Sequence, residues 1–239
     1  MRIVFILCVL FSILSCYSGD FGQVETLTKF EVVLREPLYS QLSEKVAKYK
    51  MSLSDKEIKF QKAAYQFNIP FFKVSAAFDS ENGDVQDSIY ASLGYDFDTI
   101  KILEMLFGKL LLEDPPAENE DTAVAIYLLA LLRDATDSVK VILNEYLNKA
   151  FFVRLGRSKK GINIVSKIEL LLDNMMRMRK DVILKIMKAM KKIQSEINND
   201  PDILSRLSDI FDENRDIKRS VNLISNISKQ IEILSSQFA

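Results

Sequence analysis

Apolar positions recur at intervals of three and four along most of this chain, the spacing of amphipathic α-helices. Leu38, Leu42, Val46 and Tyr49 start the pattern just after Pro37. Ser54-Asp55-Lys56-Glu57 reads as a capping box, in which hydroxyl and carboxylate satisfy the orphan N–H groups of a helix start. The helix it would open carries Ile58, Ala63 and Phe67 and should stop before Pro70. Phe71 to Phe78 is apolar without a clear period, and a polar loop follows from Asp79 to Asp84. A short helix is predicted to end at Leu93, with Gly94 in the left-handed position that follows a C-cap. Asp96 then caps a helix through Ile100, Leu103, Phe107, Leu110 and Leu111.

Pro115-Pro116, inside an acidic stretch, is a break. A long helix is predicted from Asp121 to Phe152, with Ile126, Leu129, Leu132, Val139, Ile142, Leu143 and Tyr146 inward. Arg154 to Gly161 reads as a basic turn. The longest element runs from Ile162 to Ile197, with Ile168, Leu171, Met175, Met178, Val182, Ile186, Met190, Ile193 and Ile197 on one stripe. A second stripe of Leu172, Met176, Ile183 and Met187 widens its apolar face, which places this helix centrally. Asp200-Pro201 opens a short helix to Phe211, and a last helix covers Asn214 to Phe238. No segment of any length has the two-residue period of a strand. The expected fold is all-α, a single-domain bundle of about six or seven helices with a long central one, occupying residues 36–239.

The N-terminus follows a different logic. Arg2 precedes an uncharged apolar run from Ile3 to Leu14, and Ile13-Leu14-Ser15-Cys16 closes it. A dozen apolar residues are too few to span a bilayer, which needs about 20, but they fit the core of a secretory signal. A signal ending at a cysteine is the bacterial lipoprotein pattern, so residues 1–15 are expected to be removed and Cys16 to be lipidated. More than one acyl chain there suffices for stable attachment to the outer membrane. The alternative is an ordinary signal peptide with an incidental cysteine. Residues 16–35 lack a sustained period and read as a tether.

Composition narrows the chemistry. The chain has 32 basic and 33 acidic residues, no histidine and two cysteines. Without histidine, Ser-His-Asp and Cys-His nucleophiles and His-ligated metals are excluded. Cys8 falls within the signal and Cys16 would carry lipid, so the bundle has no thiol for catalysis, zinc or a disulfide. Seven scattered glycines form neither a P-loop nor a dinucleotide fingerprint. The expectation is a non-enzyme without cofactor or metal. Near-neutral charge and no aromatic interleaving among the basic residues argue against nucleic acid as a partner.

The segment Ile89-Tyr90-Ala91-Ser92-Leu93-Gly94-Tyr95-Asp96, followed by Ile100, Leu103 and Glu104, resembles the Borrelia outer-surface lipoprotein family that includes the complement regulator-acquiring surface proteins. The acidic proline break, the Leu-rich helix after it and the long Lys/Ile/Met helix follow in the same order. The resemblance covers roughly residues 55 to 235 and implies a lipid-anchored helical bundle displayed on the cell surface, working in tick or mammalian host. Members of that family differ in partner: factor H, terminal complement proteins, plasminogen or a tick gut protein. The shared segment itself looks structural, with Gly94 turning the chain and Tyr90 and Tyr95 filling the corner, so no ligand-binding residue is carried over. The implied task is binding a host protein, a complement component or regulator, for immune evasion. The alternatives are an adhesin for matrix, glycosaminoglycan or tick tissue, and a structural or periplasm-facing lipoprotein without host ligand.

Three features bear on binding. Between Asp79 and Asp121 there are 12 acidic residues against Lys101 and Lys109, whereas between Ala150 and Lys192 there are 12 basic residues against Glu169, Asp173 and Asp181. Either these blocks face each other or water within the bundle, or Arg154, Arg157, Lys159, Lys160, Arg177, Lys180 and Lys188 form a surface for an anionic ligand. Met175, Met176, Met178, Met187 and Met190 read as a core stripe or as an adaptable groove. Finally, Ile217, Val221, Ile224, Ile231 and Leu234 make a near-heptad seam, for a homodimer or for a partner in its own bundle.

Overall fold

The computed structural model describes residues 23–63, 65–79, 83–158, 162–196, 207 and 215–238, with side chains described from Leu38 onward and, in the last helix, from Asp216. Among the described residues the protein is all-α, without strands, and its helices gather around one continuous core. The helices are α1 (Gln23–Lys62), α2 (Phe71–Val74), α3 (Asp84–Ser92), α4 (Phe97–Phe107), α5 (Glu120–Val141), α6 (Lys149–Arg157), α7 (Ile162–Glu196) and α8 (Arg215–Ser236).

Helix α7 holds the centre, as its double apolar stripe requires. Its 35 residues extend about 50 Å, and it packs against α8, α1, α4 and α5. Val165, Ile168, Leu172, Met175, Val182, Ile186, Met190 and Ile193 are buried along it. Two charged residues share that inward stripe, Glu169 and Arg179. Helix α5 packs on α3, α8 and α7 and buries Leu129, Leu132 and Val139.

Several expectations are corrected. Ser54 starts no helix: α1 runs unbroken from Gln23 through Pro37 and the Ser54–Glu57 box to Lys62, so helical backbone begins within the span read as a tether. Pro37 only removes one N–H from the ladder, and the hydroxyl of a serine inside an established helix has no orphan donor to satisfy. The helix predicted over Asp121–Phe152 is instead divided. A π-helical turn at Ile142–Tyr146 ends it, Leu147 leaves helical geometry, and the Asn148 side chain accepts from the Phe151 N–H at 3.0 Å to start α6. Arg154 and Arg157 therefore lie on α6, not in a turn. Ile126, expected inward, is exposed. Of the helix predicted over Asp200–Phe211, only Leu207 is among the described residues; it is helical and buried.

The apolar seam on α8 packs within the chain. Ile217, Val221, Ile224 and Ile231 are buried and Leu234 is half-buried, in a helix that packs on α7 and α5. These side chains therefore have a partner in their own bundle, the second of the two readings of the seam.

Candidate binding surfaces

The corner between α3 and α4 is built as its sequence prescribes. Gly94 adopts φ +68°, the left-handed geometry that glycine enters without steric cost. The Tyr95 N–H donates to the Tyr90 carbonyl at 3.0 Å and the Gly94 N–H to that of Ala91 at 3.0 Å, the paired bonds of a Schellman C-cap. Tyr95 follows at φ +57°, a conformation uncommon for a residue with a Cβ. Its hydroxyl donates to Asp87 at 2.8 Å, and Lys140 donates to the other oxygen of that carboxylate. Burial and then this hydrogen bond push the Tyr95 hydroxyl well above its ordinary value. Asp96 then accepts from the Thr99 N–H at 2.9 Å and starts α4. Phe60, Phe67, Tyr90, Tyr95 and Phe97 pack ring against ring here, tying the end of α1 to the corner.

Helix α1 holds α7 by a narrow strip. Leu42 and Val46 are its buried side chains among those described. Between them Lys45 bridges Glu169 at 2.5 Å and Asp173 at 2.6 Å, and the Tyr49 hydroxyl donates to Asp173 at 2.8 Å. Desolvation works against the Lys45 charge, but its bonds to Asp173 and Glu169 outweigh it and hold the ammonium above its ordinary value. Desolvation, then the bond to Asp173, push Tyr49 up to about 12.

Just beyond Tyr49 a cleft of about 630 Å³ opens between α1, the α3–α4 corner and α7. Tyr49, Ser52, Leu53 and Lys56 form one wall, Ala91 and Leu93 to Asp96 the second, and Met176, Arg179, Lys180, Ile183, Leu184 and Met187 the third. Arg179 is 8% exposed. One of its Nη2 hydrogens reaches the Ala91 carbonyl at 2.8 Å, Thr136 Oγ1 lies 3.3 Å from the same nitrogen, and its Nε has no partner. Among the described residues it makes no ion pair. Burial pushes the guanidinium down to about 10, so it stays charged at neutral pH. In the sequence Arg179 is one of the 12 basic residues between Ala150 and Lys192, and composition alone does not separate it from its exposed neighbours. Its place four after Met175 and three before Val182, on the core stripe, was the signal.

Among the described residues no ion pair joins residues 79–121 to residues 150–192. Arg177, Lys180 and Lys188 lie exposed on α7, at positions that, with Leu184 between them, step by three, four and four along one face. Leu184 is 54% exposed. Arg177 is held by Asn174 at 2.9 Å, and none of these cations has a carboxylate within 4 Å among the described residues. Of these, Arg177 and Lys180 stand one helical turn apart, where like charges repel by about 0.2–0.5 kcal/mol. Arg154 and Arg157 are exposed on a separate helix, α6, and Lys159 and Lys160 lie outside the described residues.

The methionines divide. Met175 and Met190 are buried in the core, whereas the half-buried Met176 and Met187 line the cleft. Among the described residues no three His, Cys, Asp or Glu side chains gather as a metal site would need, and no helix is long and apolar enough to cross a membrane. Cys16 lies outside the described residues.

No protein-family model and no curated protein matches this chain.

Proposed function

We propose that this chain is a bacterial outer-membrane lipoprotein, anchored through Cys16 and displayed on the cell surface, whose helical bundle binds a host protein. A complement component or regulator is the favoured partner, with immune evasion as the outcome. The resemblance of Ile89–Asp96 to the Borrelia surface lipoproteins supports this reading, as does the lack of histidine and of any thiol in the bundle. The observation that carries it is the basic face of α7, Arg177, Lys180 and Lys188 around Leu184, which has no ion pair among the described residues. A monomeric bundle gains nothing in stability from aligned, unpaired cations, whereas a partner with an acidic patch gains both attraction and a faster encounter.

The test is survival of a serum-sensitive bacterial strain that expresses the chain. The wild type should raise survival in host serum, and Arg177→Glu/Lys180→Glu/Lys188→Glu should abolish the gain while the protein remains folded. No gain from the wild type transfers the reading to adhesion. The same basic face favours that second reading in one form, a sulfated glycosaminoglycan, for which retention on heparin should fall steeply with salt.

A further inference from the structure

We propose that the cleft between α1, the α3–α4 corner and α7 binds an amphiphilic monoanion, an aliphatic chain ending in a carboxylate. Lys56, Arg179 and Lys180 would receive the carboxylate, and Leu53, Leu184 and Met187 the chain. This goes beyond host-protein binding and does not depend on it.

Buried Arg179 carries the argument. A guanidinium more than nine-tenths buried, with no carboxylate partner among the described residues and a buried Nε–H left unpaired, is held at a cost, and its side chain forms part of the cleft wall. Two further cations line the same cleft, Lys56 and Lys180, both exposed and both outside any ion pair among the described residues. The one carboxylate in the walls is Asp96, and the Thr99 N–H and hydroxyl already occupy its Oδ1. Three cations against one engaged carboxylate leave the cleft positive.

The rest of the lining decides what kind of anion fits. Phosphate sites commonly add free backbone N–H groups to their Arg and Lys ligands. Here the N–H groups of Leu93, Gly94, Tyr95 and Asp96 are all committed to carbonyls of the turn. Away from the cations, Leu53, Met176, Ile183, Leu184 and Met187 give the walls an apolar stretch beside Tyr49, Ser52 and Tyr95, and methionine adapts to flexible apolar shapes. The volume of about 630 Å³ falls within the range of small-molecule sites, about 300–1,000 Å³. A single carboxylate with a flexible chain satisfies both ends.

The test uses the full chain with Cys16→Ala, stripped of co-purified lipid and titrated calorimetrically with laurate, dodecanol and inorganic phosphate. Laurate should saturate one site, with dodecanol and phosphate weaker by about tenfold or more. Lys56→Glu/Lys180→Glu, two exposed positions whose substitution leaves the helices intact, should weaken laurate by a similar factor. Lys188→Glu, on the same helix but outside the cleft, should bind as the wild type does. Absence of laurate binding overturns the proposal. So does dodecanol or phosphate binding as tightly as laurate, full affinity in the double variant, or equal loss in Lys188→Glu. No host protein is present in the titration, so its outcome is separate from that of the serum assay.

Discussion

Replacing Arg179 with methionine should stabilise this protein, although the residue is buried and hydrogen-bonded. A guanidinium lowered from 12.5 to about 10 by burial is disfavoured in its charged form by about 3 kcal/mol relative to water. Against that stand one good hydrogen bond, to Ala91 at 2.8 Å, and one long contact, to Thr136 at 3.3 Å. A charged donor contributes about 1.5–3 kcal/mol to a well-formed bond and much less to a long one, so together they return about 2 kcal/mol. Methionine fills much of the same volume, brings no charge and strands little. The Ala91 carbonyl still accepts from the Gly94 N–H at 3.0 Å, leaving only the Thr136 hydroxyl poorer. The expected gain is about 1 kcal/mol, in line with buried charges replaced by apolar side chains of similar volume. In a chain of this size that raises the melting midpoint by about 2–4 °C. Thermal unfolding followed by circular dichroism, with urea unfolding as a check, measures it. A loss of more than about 1 kcal/mol would show that the guanidinium is held far better than its geometry indicates, and would refute the reasoning.

Other expectations follow from the same geometry. Gly94→Ala should destabilise by about 1 kcal/mol: the added Cβ would meet Ile183 Cγ2 at an ordinary 3.5 Å, so the cost is the left-handed backbone and not a clash, and urea unfolding measures it. Tyr49, held up to about 12 against an ordinary 10, favours the folded state while protonated, as does Lys45 while charged. That contribution is complete below pH 10 and is lost as pH rises from 10 towards 12. Tyr49→Phe should flatten part of the alkaline fall in stability seen by pH-dependent urea unfolding, and an unchanged slope would count against the Tyr49–Asp173 bond. Asp173→Ala removes the acceptor of both Lys45 and Tyr49 and should loosen α1 on α7, read as faster hydrogen exchange in residues 38–50 than in α8. Palmitate labelling should be lost on Cys16→Ala, and label that persists would remove the proposed anchor.

The long elements were legible because their apolar stripes are unambiguous. Along α7, Ile168, Met175, Val182, Ile186, Met190 and Ile193 are all buried, as their spacing required. The Gly94 cap and the Asp96 start were legible too, because each rests on local chemistry that few residues can supply. What failed was punctuation. Periodicity continues through Leu147 and Asn148, so the end of α5 was invisible until the π-turn shifted the register and the Asn148 side chain capped α6. Conversely, Ser54–Glu57 carries a start signal that the flanking helix overrides, since a capping box acts only where N–H groups are orphaned. The cleft was illegible for a different reason. It arises from three segments far apart in sequence, and only Arg179, a charge at a core-stripe position, marked it.

Helix α7 thus serves three surfaces at once, and its spacing keeps them separable. The inward stripe holds the core, the flank with Met176, Ile183 and Met187 lines the cleft, and the outward face carries Arg177, Lys180 and Lys188. Lys180 and Leu184 stand where cleft and basic face meet. Lys56 belongs to the cleft alone, whereas Arg177 and Lys188 belong to the face alone. An anion seated in the cleft would neutralise the middle of the basic face, and the two binding events would oppose each other through that shared lysine. Coupling of this kind is reciprocal: a macromolecular partner on the face must weaken laurate in the cleft by the factor with which laurate weakens that partner. Lys180→Ala should diminish both affinities and their antagonism together. Lys56→Ala and Lys188→Ala should each touch one affinity and spare the other, a pattern that a diffuse positive potential would not produce.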